Sequence, residues 1–406
     1  MVICHIWDAD YPWDVRVEKI CDSLIKKHEV HLVCRNSARR LRYERINGFT
    51  IHRLPSLPTL FGRMQQLIGF PAFFNPIWVY MIWQTVRTVK ADMILVRDLP
   101  LALTALLVGR LLHKPVVLDM AENYPAMIQD VWDSQGFSVV NMVVRNPATV
   151  RFIERLCVKW ADHILAVVEE SRDRLVAMGV SRDKISLVSN TPTSSRWRGS
   201  AEVHPSIDVR QPGQLVLVYL GLLERPRGLE TAIRAVGRVR TRCMGVRLVI
   251  VGSGAHQQDF RQLASDLQLQ EHVIFMGWLD YSQAIAAIND SDVGIVPHHA
   301  TESWNSTIPN KLFDYMSMSK PVIVSDAKPA ARIVKEERCG IVVEDRNVED
   351  LAHAILRLTD ESVRGEMGRR GREAVMQRYN WTIDEKRLLD AIERTAGRRE
   401  SRSCVA

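Results

Sequence analysis

Along the chain, short runs of apolar and β-branched residues alternate with longer stretches in which apolar positions recur at helical spacing. Apolar runs bounded by polar residues read as buried strands, and their alternation with helical patterns predicts βαβ units and parallel sheets. In the first half, strands are predicted at VICHIW (2–7), EVHLVCR (29–35), FTIHRL (49–54), MILVRD (93–98), PVVLDM (115–120), HILAVVE (163–169) and ISLVSN (185–190). Several end in an acid or Asn, and in such sheets ligands bind outside the carboxyl ends of the strands.

The stretch TPTSSRWRGSAEVHPSIDVRQPGQ (191–214) breaks this rhythm with Pro, Ser, Gly and charge. It marks a domain boundary, with a linker at 196–214. The alternation restarts at LVLVYLG (215–221), RLVIVGSG (247–254), VIFMG (273–277), DVGIVPH (292–298), PVIVSD (321–326) and GIVVE (340–344). A chain of 406 residues exceeds what one core sustains. The expected fold class is therefore α/β, with two doubly wound parallel-sheet (Rossmann-like) domains, 1–195 and 215–380, facing across a cleft.

Composition narrows the partners. With 47% hydrophobic and 25% charged residues the chain is a soluble globular protein, and its formal net charge of +7 points to an anionic partner. A nucleotide, a nucleic acid or an acidic membrane face would each fit, but no basic stripe interleaved with aromatics supports nucleic acid. Seven scattered cysteines (Cys4, Cys21, Cys34, Cys157, Cys243, Cys339, Cys404) form no C-x-x-C pair, which favours reduced thiols and a cytoplasmic location. The start MVICHIWDADYP lacks a basic segment before a long apolar run and reads as a strand, not a secretion signal. The aromatic run LIGFPAFFNPIWVYMIW (67–83) is too short and too broken by Pro71, Asn75 and Pro76 to span a bilayer. It fits either a segment lying in a membrane interface or a buried helix with a loop. LPLALTALLVGRLL (99–112) reads as a core helix, and the Arg-rich 368–378 as a solvated helix face.

The candidate chemistry concentrates in STIPNKLFDYMSMSKPVIVSD (306–326). Pro309 suits the first position of a helix, and the amides of Asn310, Lys311 and Leu312 then lack intrahelical partners. Ile308 has no oxygen to cap them, so a phosphate could meet free N–H donors, the helix dipole and the charge of Lys311. Alternatively Ser306 or Thr307 caps the helix and Lys311 is merely exposed. Asp314 falls on a polar stripe with Asn310 and Ser317, opposite Leu312, Tyr315 and Met316; its carboxylate suits the hydroxyls of a ribose, or pairs with Lys311 in solvent. In LGLLERPRGLETAIRAV (220–236), Gly221 ends a strand and Arg227–Gly228 opens a helix, which delivers a guanidinium suited to a diphosphate to the same sheet edge. Arg225 is a competing surface arginine. Gly252 and Gly254 in VGSGAH form a Gly-x-Gly turn, by itself a weak nucleotide signal. In the first half, the D-x-R-V element places Asp14 and Arg16 towards the cleft if Val15 and Val17 pack inward. Asp119 and Glu122 follow a strand end and could orient an acceptor hydroxyl, unless Asp119 only caps the next element; Arg97 and Asp98 sit at a neighbouring one. Asp8 and Asp10 form a D-x-D triplet that is common by chance.

The order of LGLLERPRGLETAI, LVIVGSG, VIFMGW, DVGIVPH and STIPNKLFDYMSMSKPVIVSD, ending in RYNWTIDEKRLLDAI, resembles the large family of GT-B, family-4-type glycosyltransferases (glycosyl transferases group 1), in its PNKLFDYM subgroup. The resemblance covers most of the chain and is most specific in the second half. It implies a second domain that binds a nucleotide sugar of UDP or GDP type as co-substrate, without a metal or cofactor. In that family a spaced pair of glutamates marks the donor site; here Asp314 stands for the second and Ser306 for the first. Arg227 and Lys311 take the places of the diphosphate-binding cations, and the base is read near Gly277 and Trp278. The family's histidine is replaced near Ala121. A C-terminal helix, 381–398, is expected to cross back to the first domain. The implied activity is hexosyl transfer with retention of configuration. The basic charge, the aromatic segment at 67–83 and the insertion at 127–156 point to a lipid-linked or cell-surface glycan precursor as acceptor, at the inner face of the cytoplasmic membrane. A sugar-nucleotide epimerase and a non-catalytic nucleotide-sugar-binding module remain as alternatives.

Overall fold

Strands such as Met93–Arg97 and Val116–Met120 are buried at every position, as parallel strands covered by helices on both faces must be. A computed structural model describes residues 1–12, 14–55, 73–135, 146–193, 213–242 and 245–403. The chain divides into one unit of Met1–Ser189 with Asp384–Ala406 and a second of Asn190–Ile383. Most of the linker stretch, 194–212, lies outside the described residues.

The first unit holds an eight-stranded sheet in the order β3-β4-β2-β1-β5-β6-β7-β8. Its strands are β1 (Val2–Ile6), β2 (Glu29–Cys34), β3 (Tyr43–Ile46), β4 (Phe49–Arg53), β5 (Met93–Arg97), β6 (Val116–Met120), β7 (His163–Ala166) and β8 (Ile185–Leu187). All pairings are parallel except β3 with β4. β3 was not foreseen because its sequence, YERI, carries two charges and half-exposed positions instead of an apolar run. The overlooked signal is Asn47-Gly48, both at positive φ (49° and 92°), a two-residue turn that suits the twist of a hairpin. A core of Ile6, Ile94, Val96, Leu118 and Ile164 packs against Trp78, Ile82, Leu106 and Ile153 from the helices. The run at 99–112 forms the helix Ala102–Leu111.

The second unit is a six-stranded parallel sheet in the order β11-β10-β9-β12-β13-β14. These strands are β9 (Leu215–Leu220), β10 (Val246–Val251), β11 (Val273–Gly277), β12 (Val293–Val296), β13 (Val322–Ser325) and β14 (Gly340–Val343). The helix Leu229–Val239 buries Ile233, Val236 and Val239 on this sheet. Gly294 on β12 is needed for packing: a Cβ there would fall 2.2 Å from the Tyr315 ring, so its absence lets the helix Asn310–Ser317 approach the sheet. The Arg-rich stretch lies on the helix Glu361–Gln377, with Arg369 and Arg370 paired to Glu366.

The final helix runs from Trp381 to Ser403, longer than the expected 381–398. Within the first unit it is held by Lys26–Glu385 at 2.5 Å and by Arg394 donating to Ser186 Oγ at 2.9 Å. Cys4, Cys21, Cys34, Cys157 and Cys339 are free and buried. Among the described residues, no helix is long and apolar enough to cross a membrane.

Three histidines of the first unit, His5, His52 and His163, are held neutral by burial, their pKa values lowered from 6.5 to about 4. The unfolded chain therefore binds more protons than the folded one between these values. Their contribution to stability is fully present above pH 6.5 and is lost as pH falls towards about 4. Denaturant melts of the first unit's signals across that window are expected to show the midpoint falling steadily with pH.

Candidate functional site

In the second unit strand order reverses between β9 and β12, and the carboxyl ends at such a switch point open a crevice for ligands. The chain leaves β9 at Gly221 (φ 133°) and makes a short 3-10 turn, Arg225–Arg227. Gly228 closes the turn in the left-handed region at φ 70°. A Cβ on Gly228 would lie 1.7 Å from the Pro297 carbonyl oxygen, so only glycine lets this turn press on the loop after β12. The turn lays the Arg227 guanidinium over the Trp304 ring at 4.6 Å. Its carboxylate neighbour, Glu224, stands 4.0 Å away, at the limit of an ion pair.

Lys311 reaches the same place from the first turn of the helix Asn310–Ser317. Its Nζ sits 3.8 Å from the centroid of the Tyr219 ring and 3.3 Å from His298 Nε2, and the residue is 8% exposed. The His298 ring lies 4.1 Å from Trp304, so one aromatic chain links the two cations. Tyr219 is fixed by donating its hydroxyl to Leu222 O at 2.8 Å, and Tyr315 Oη accepts from Leu220 N at 2.9 Å. Burial, and then the charge of Arg227, push Lys311 well below its ordinary pKa. Burial, Lys311, Arg227 and His299 do the same to His298. Two cationic side chains thus converge on aromatic faces, an arrangement suited to a ligand carrying at least two negative charges.

The helix start differs in detail from expectation. Pro309 is the cap residue, extended at φ −76° and ψ 136°, and not the first helical position; it offers no side-chain capping bond. The Leu312 amide is spent on Pro309 O at 3.2 Å, which leaves Asn310 and Lys311 as the first-turn donors. Ser306 is buried in the turn Trp304–Ser306 and donates to Glu302 O at 2.9 Å. The two-stripe reading of the helix is also corrected. Lys311 and Ser317 are buried with Leu312, Phe313, Tyr315 and Met316, while Asn310 is exposed and Asp314 half-buried. The buried Lys311 carries its amine over the Tyr219 ring, which a pattern of residue types does not reveal.

The neighbouring strand ends complete this edge. Gly252 (φ 136°) donates its amide to Gly277 O at 2.7 Å, and a Cβ there would lie 1.9 Å from Gly221 O. Gly254 packs as tightly on Leu223. The Gly-x-Gly turn therefore serves close packing of the loops after β9 and β10. Gly277 is at φ 72° and Trp278 is 69% exposed beside it. His299 Nδ1 meets Asp345 at 2.8 Å and ties the loop after β12 to that after β14.

In the first unit the predicted residues meet, but in a closed network. Asp14 caps the helix Val15–Leu24, accepting from Arg16 N at 2.8 Å and Val17 N at 3.0 Å, and its other oxygen lies 3.1 Å from Arg97. Arg16 turns inward: Nη2 and Nε donate to Asp119 at 2.6 and 3.0 Å, with exposures of 3% and 0% for the two side chains. Arg16, expected towards the cleft, is thus turned onto Asp119, and the Asp119 carboxylate, expected to orient an acceptor hydroxyl or to cap the next element, is taken up by that guanidinium. Burial opposes ionisation of Asp119, yet the Arg16 guanidinium prevails and holds it below the usual carboxylate range. Asp98, in the left-handed region at φ 57°, accepts from the amides of Ala121 (3.0 Å) and Glu122 (3.3 Å). Burial raises it to about 7 against the pull of Arg97. Glu122 is half-buried at the edge of this network.

A cavity of about 970 Å³ in the first unit opens at the amino ends of the strands, lined by Arg110, Lys114, Lys159, Trp160 and Lys184. Its acids are occupied, Asp92 by Val2 N and Asp162 by Val116 N, and Arg110 lies 3.8 Å over the Trp160 ring. Basic residues there also complement the carbonyl ends of helices, so the cavity is a weaker candidate than the edge around Lys311. Among the described residues no group of three or more His, Cys, Asp or Glu could hold a metal ion. Sequence reasoning did not single out His298, Trp304 or Tyr219, although His298 ends the run DVGIVPH and Tyr219 lies in LVLVYLG; their distances identify them.

Comparison with known proteins follows this division of the chain. The model of the family "Glycosyl transferases group 1" matches residues 214–361, and that of the "Glycosyl transferase 4-like domain" matches 14–191. A GDP-mannose-dependent alpha-(1-6)-phosphatidylinositol monomannoside mannosyltransferase of Mycobacterium tuberculosis is 29% identical over 180 residues, 43% of this chain and 46% of that protein. A phosphatidyl-myo-inositol mannosyltransferase of Mycolicibacterium smegmatis is 27% identical over 187 residues, 46% of each. The matched stretches thus span about half the length of these relatives. The solved structure of sucrose-phosphate synthase from Thermosynechococcus elongatus superposes with a TM-score of 0.73 at 18% identity, covering 97% of this chain and 98% of that one. HepE of Anabaena in complex with UDP gives 0.70 at 14%, covering 97% and 100%. At these identities the likeness shows the fold, two Rossmann-like domains of the GT-B type.

The closed network gives a stability prediction. Asp119→Ala leaves the Arg16 guanidinium buried without its partner and is expected to cost about 3–5 kcal/mol. Urea denaturation of the two proteins measures it, and a loss well below 1 kcal/mol would contradict the pairing described.

Proposed function

We propose that this chain, which belongs to the glycosyl transferases group 1 family, moves a hexosyl group from a nucleoside diphosphate sugar to an acceptor, with its second unit binding the donor. The observation that carries the reading is the pair of cations at the carboxyl ends of β9 and β12. Arg227 and Lys311 converge on one edge where, among the described residues, the one carboxylate paired with either is Glu224, 4.0 Å from Arg227, and they stand beside the first-turn amides of Asn310 and Lys311. A diphosphate supplies the missing negative charge, and its departure as a leaving group is stabilised by donors already in place. Asp314, half-buried one turn along the helix, suits the ribose hydroxyls. Trp278 offers an exposed aromatic face to the base.

The reaction proceeds with retention and without a metal ion. In this scheme the leaving diphosphate oxygen takes the acceptor proton on the face it vacates, and no separate base is required. Arg227 and Lys311 do the electrostatic work that a divalent cation would otherwise do, so excess EDTA is expected to leave turnover unchanged. A mannosyltransferase acting with GDP-mannose and a neighbour crystallised with UDP make UDP- and GDP-sugars the donors to try first.

The acceptor is a lipid-linked or cell-surface glycan precursor, reached at a membrane surface. Of the aromatic run, 67–72 lies outside the described residues, and the helix Pro76–Thr88 carries the rest. It exposes Tyr80 at 56%, next to Phe74 at 58%, and Arg87 lies 4.8 Å over the Trp83 ring. Aromatic and cationic side chains together suit an anionic interface.

In a thermal-shift panel of UDP- and GDP-sugars, a donor at 100 times its Kd is expected to add about 2.7 kcal/mol of stability. No response to any nucleotide sugar would sink the donor-site assignment. Arg227→Ala is expected to lower kcat about 10²–10³-fold while the melting temperature stays put. For the membrane contact, flotation with vesicles containing phosphatidylglycerol should carry the protein upward. The double variant Tyr80→Ser/Arg87→Ser should lose that flotation, and equal flotation of both proteins would remove the role given to this helix.

A further inference from the structure

Lys311 is the one cation at the donor edge whose charge is not guaranteed. Arg227 is charged at any accessible pH, but a lysine amine desolvated beside another cation releases its proton readily. Every group facing the amine bears this out. From β9 comes the Tyr219 ring, its hydroxyl spent on Leu222 O. From the turn after β9 comes Arg227, with Glu224 behind it at 4.0 Å. From the loop after β12 come His298, at 3.3 Å, and beyond it His299, already paired with Asp345. On its own helix, Tyr315 Oη accepts from Leu220 N, and Asp314 is half-buried on the turn above. Among the described residues no carboxylate forms an ion pair with Lys311. The one polar side-chain atom within hydrogen-bond distance is His298 Nε2, and His298 Nδ1 is buried without a partner.

Resting on the reading of this edge as a diphosphate site, we infer that His298 is a positioning residue whose Nε2 holds the Lys311 amine, and that this amine takes up a proton from solvent as the diphosphate enters. With the ring proton on Nδ1, Nε2 carries the lone pair that accepts one N–H of Lys311. The empty site then avoids a buried positive charge beside that of the half-buried Arg227. When the diphosphate arrives, its negative charge restores the balance: the amine becomes an ammonium, keeps one N–H on His298 and turns the others to phosphate oxygens. The His298 ring, packed on Trp304, also fixes the plane on which Arg227 lies. One side chain therefore sets the position of both cations and leaves only one permanently charged.

The sign of the linkage is definite. Lys311 binds more protons in the complex than in the empty protein, so donor affinity is highest at low pH. It falls by up to about tenfold per pH unit as pH rises through the interval between the empty and occupied states. The test is titration calorimetry of the whole chain with UDP-glucose and with GDP-mannose, in buffers of different ionisation enthalpy at mildly alkaline pH. Their diphosphate diesters do not titrate there, so any proton exchanged comes from the protein. Uptake approaching one proton per nucleotide supports the proposal, and binding with no uptake overturns it. If neither nucleotide binds, the donor-site reading fails first and takes this inference with it.

Variants separate positioning from structure. His298→Leu is expected to lower kcat at least about tenfold and to shift the pH dependence of kcat/KM, with the far-UV spectrum unchanged. His298→Gln, which keeps an acceptor, should recover most of that loss. Unchanged pH profiles in His298→Leu would overturn the role of His298. Should that variant fail to fold, Lys311→Met decides the matter: its proton uptake must vanish, and persistent uptake would place the proton elsewhere.

Discussion

The donor edge depends on an unpaired charge. Burying an ammonium without an anion costs several kcal/mol, and proteins usually avoid the cost by pairing the group or by neutralising it. At Lys311 burial and the charge of Arg227 push the amine towards the second route, with an imidazole nitrogen and a tyrosine ring as neighbours. The surrounding structure is arranged around that choice. Gly294 lets the helix of Lys311 approach β12, Gly228 lets the Arg227 turn approach the loop after β12, and Gly252 lets the loops after β9 and β10 meet. At each point a side chain as small as a methyl would hold the cations apart.

The first unit solves the same electrostatic problem in the opposite way. Arg16, Arg97, Asp14, Asp98 and Asp119 lie at the carboxyl ends of β1, β5 and β6, where a ligand would be expected from topology alone. Yet three carboxylates surround the two guanidiniums, and both oxygens of Asp119 are taken by Arg16. Such a network fixes strand ends and the start of the helix Val15–Leu24 without leaving an electrostatic vacancy. The contrast is informative: a network in which acids outnumber guanidiniums gains nothing from an incoming diphosphate, whereas the Arg227–Lys311 pair gains a great deal. Charge imbalance, more than charge density, distinguishes the donor edge.

How much of this was legible depended on the range of the interactions. Strand positions were readable because burial on both faces forces near-continuous apolar runs, and β12 and β13 fall inside the runs 292–298 and 321–326. β3 was missed because an antiparallel edge strand has no such need. Arg227 and Lys311 could be picked out because a local rule, a helix or turn opening at a strand end, placed them at the sheet edge. The inward turn of Arg16 could not, since its partner Asp119 is 103 residues away. His298, Trp304 and Tyr219 escaped for the same reason: a histidine or an aromatic at a strand end is ordinary until distances to the cations are known.

Ser306 shows where family expectation and local physics part. An acid at that position would point into a buried turn whose hydroxyl now donates to Glu302 O, and a carboxylate cannot donate that bond. It would also bring a negative charge into the loop between Trp304 and the Lys311 helix, where it would favour the ammonium form in the empty protein. Serine adds no charge there and so leaves the lowered pKa of Lys311 unopposed from this position. The departure at Ser306 and the lowered pKa of Lys311 are thus consistent with one another. A site that relies on the incoming diphosphate to complete its charge has no use for a resident carboxylate.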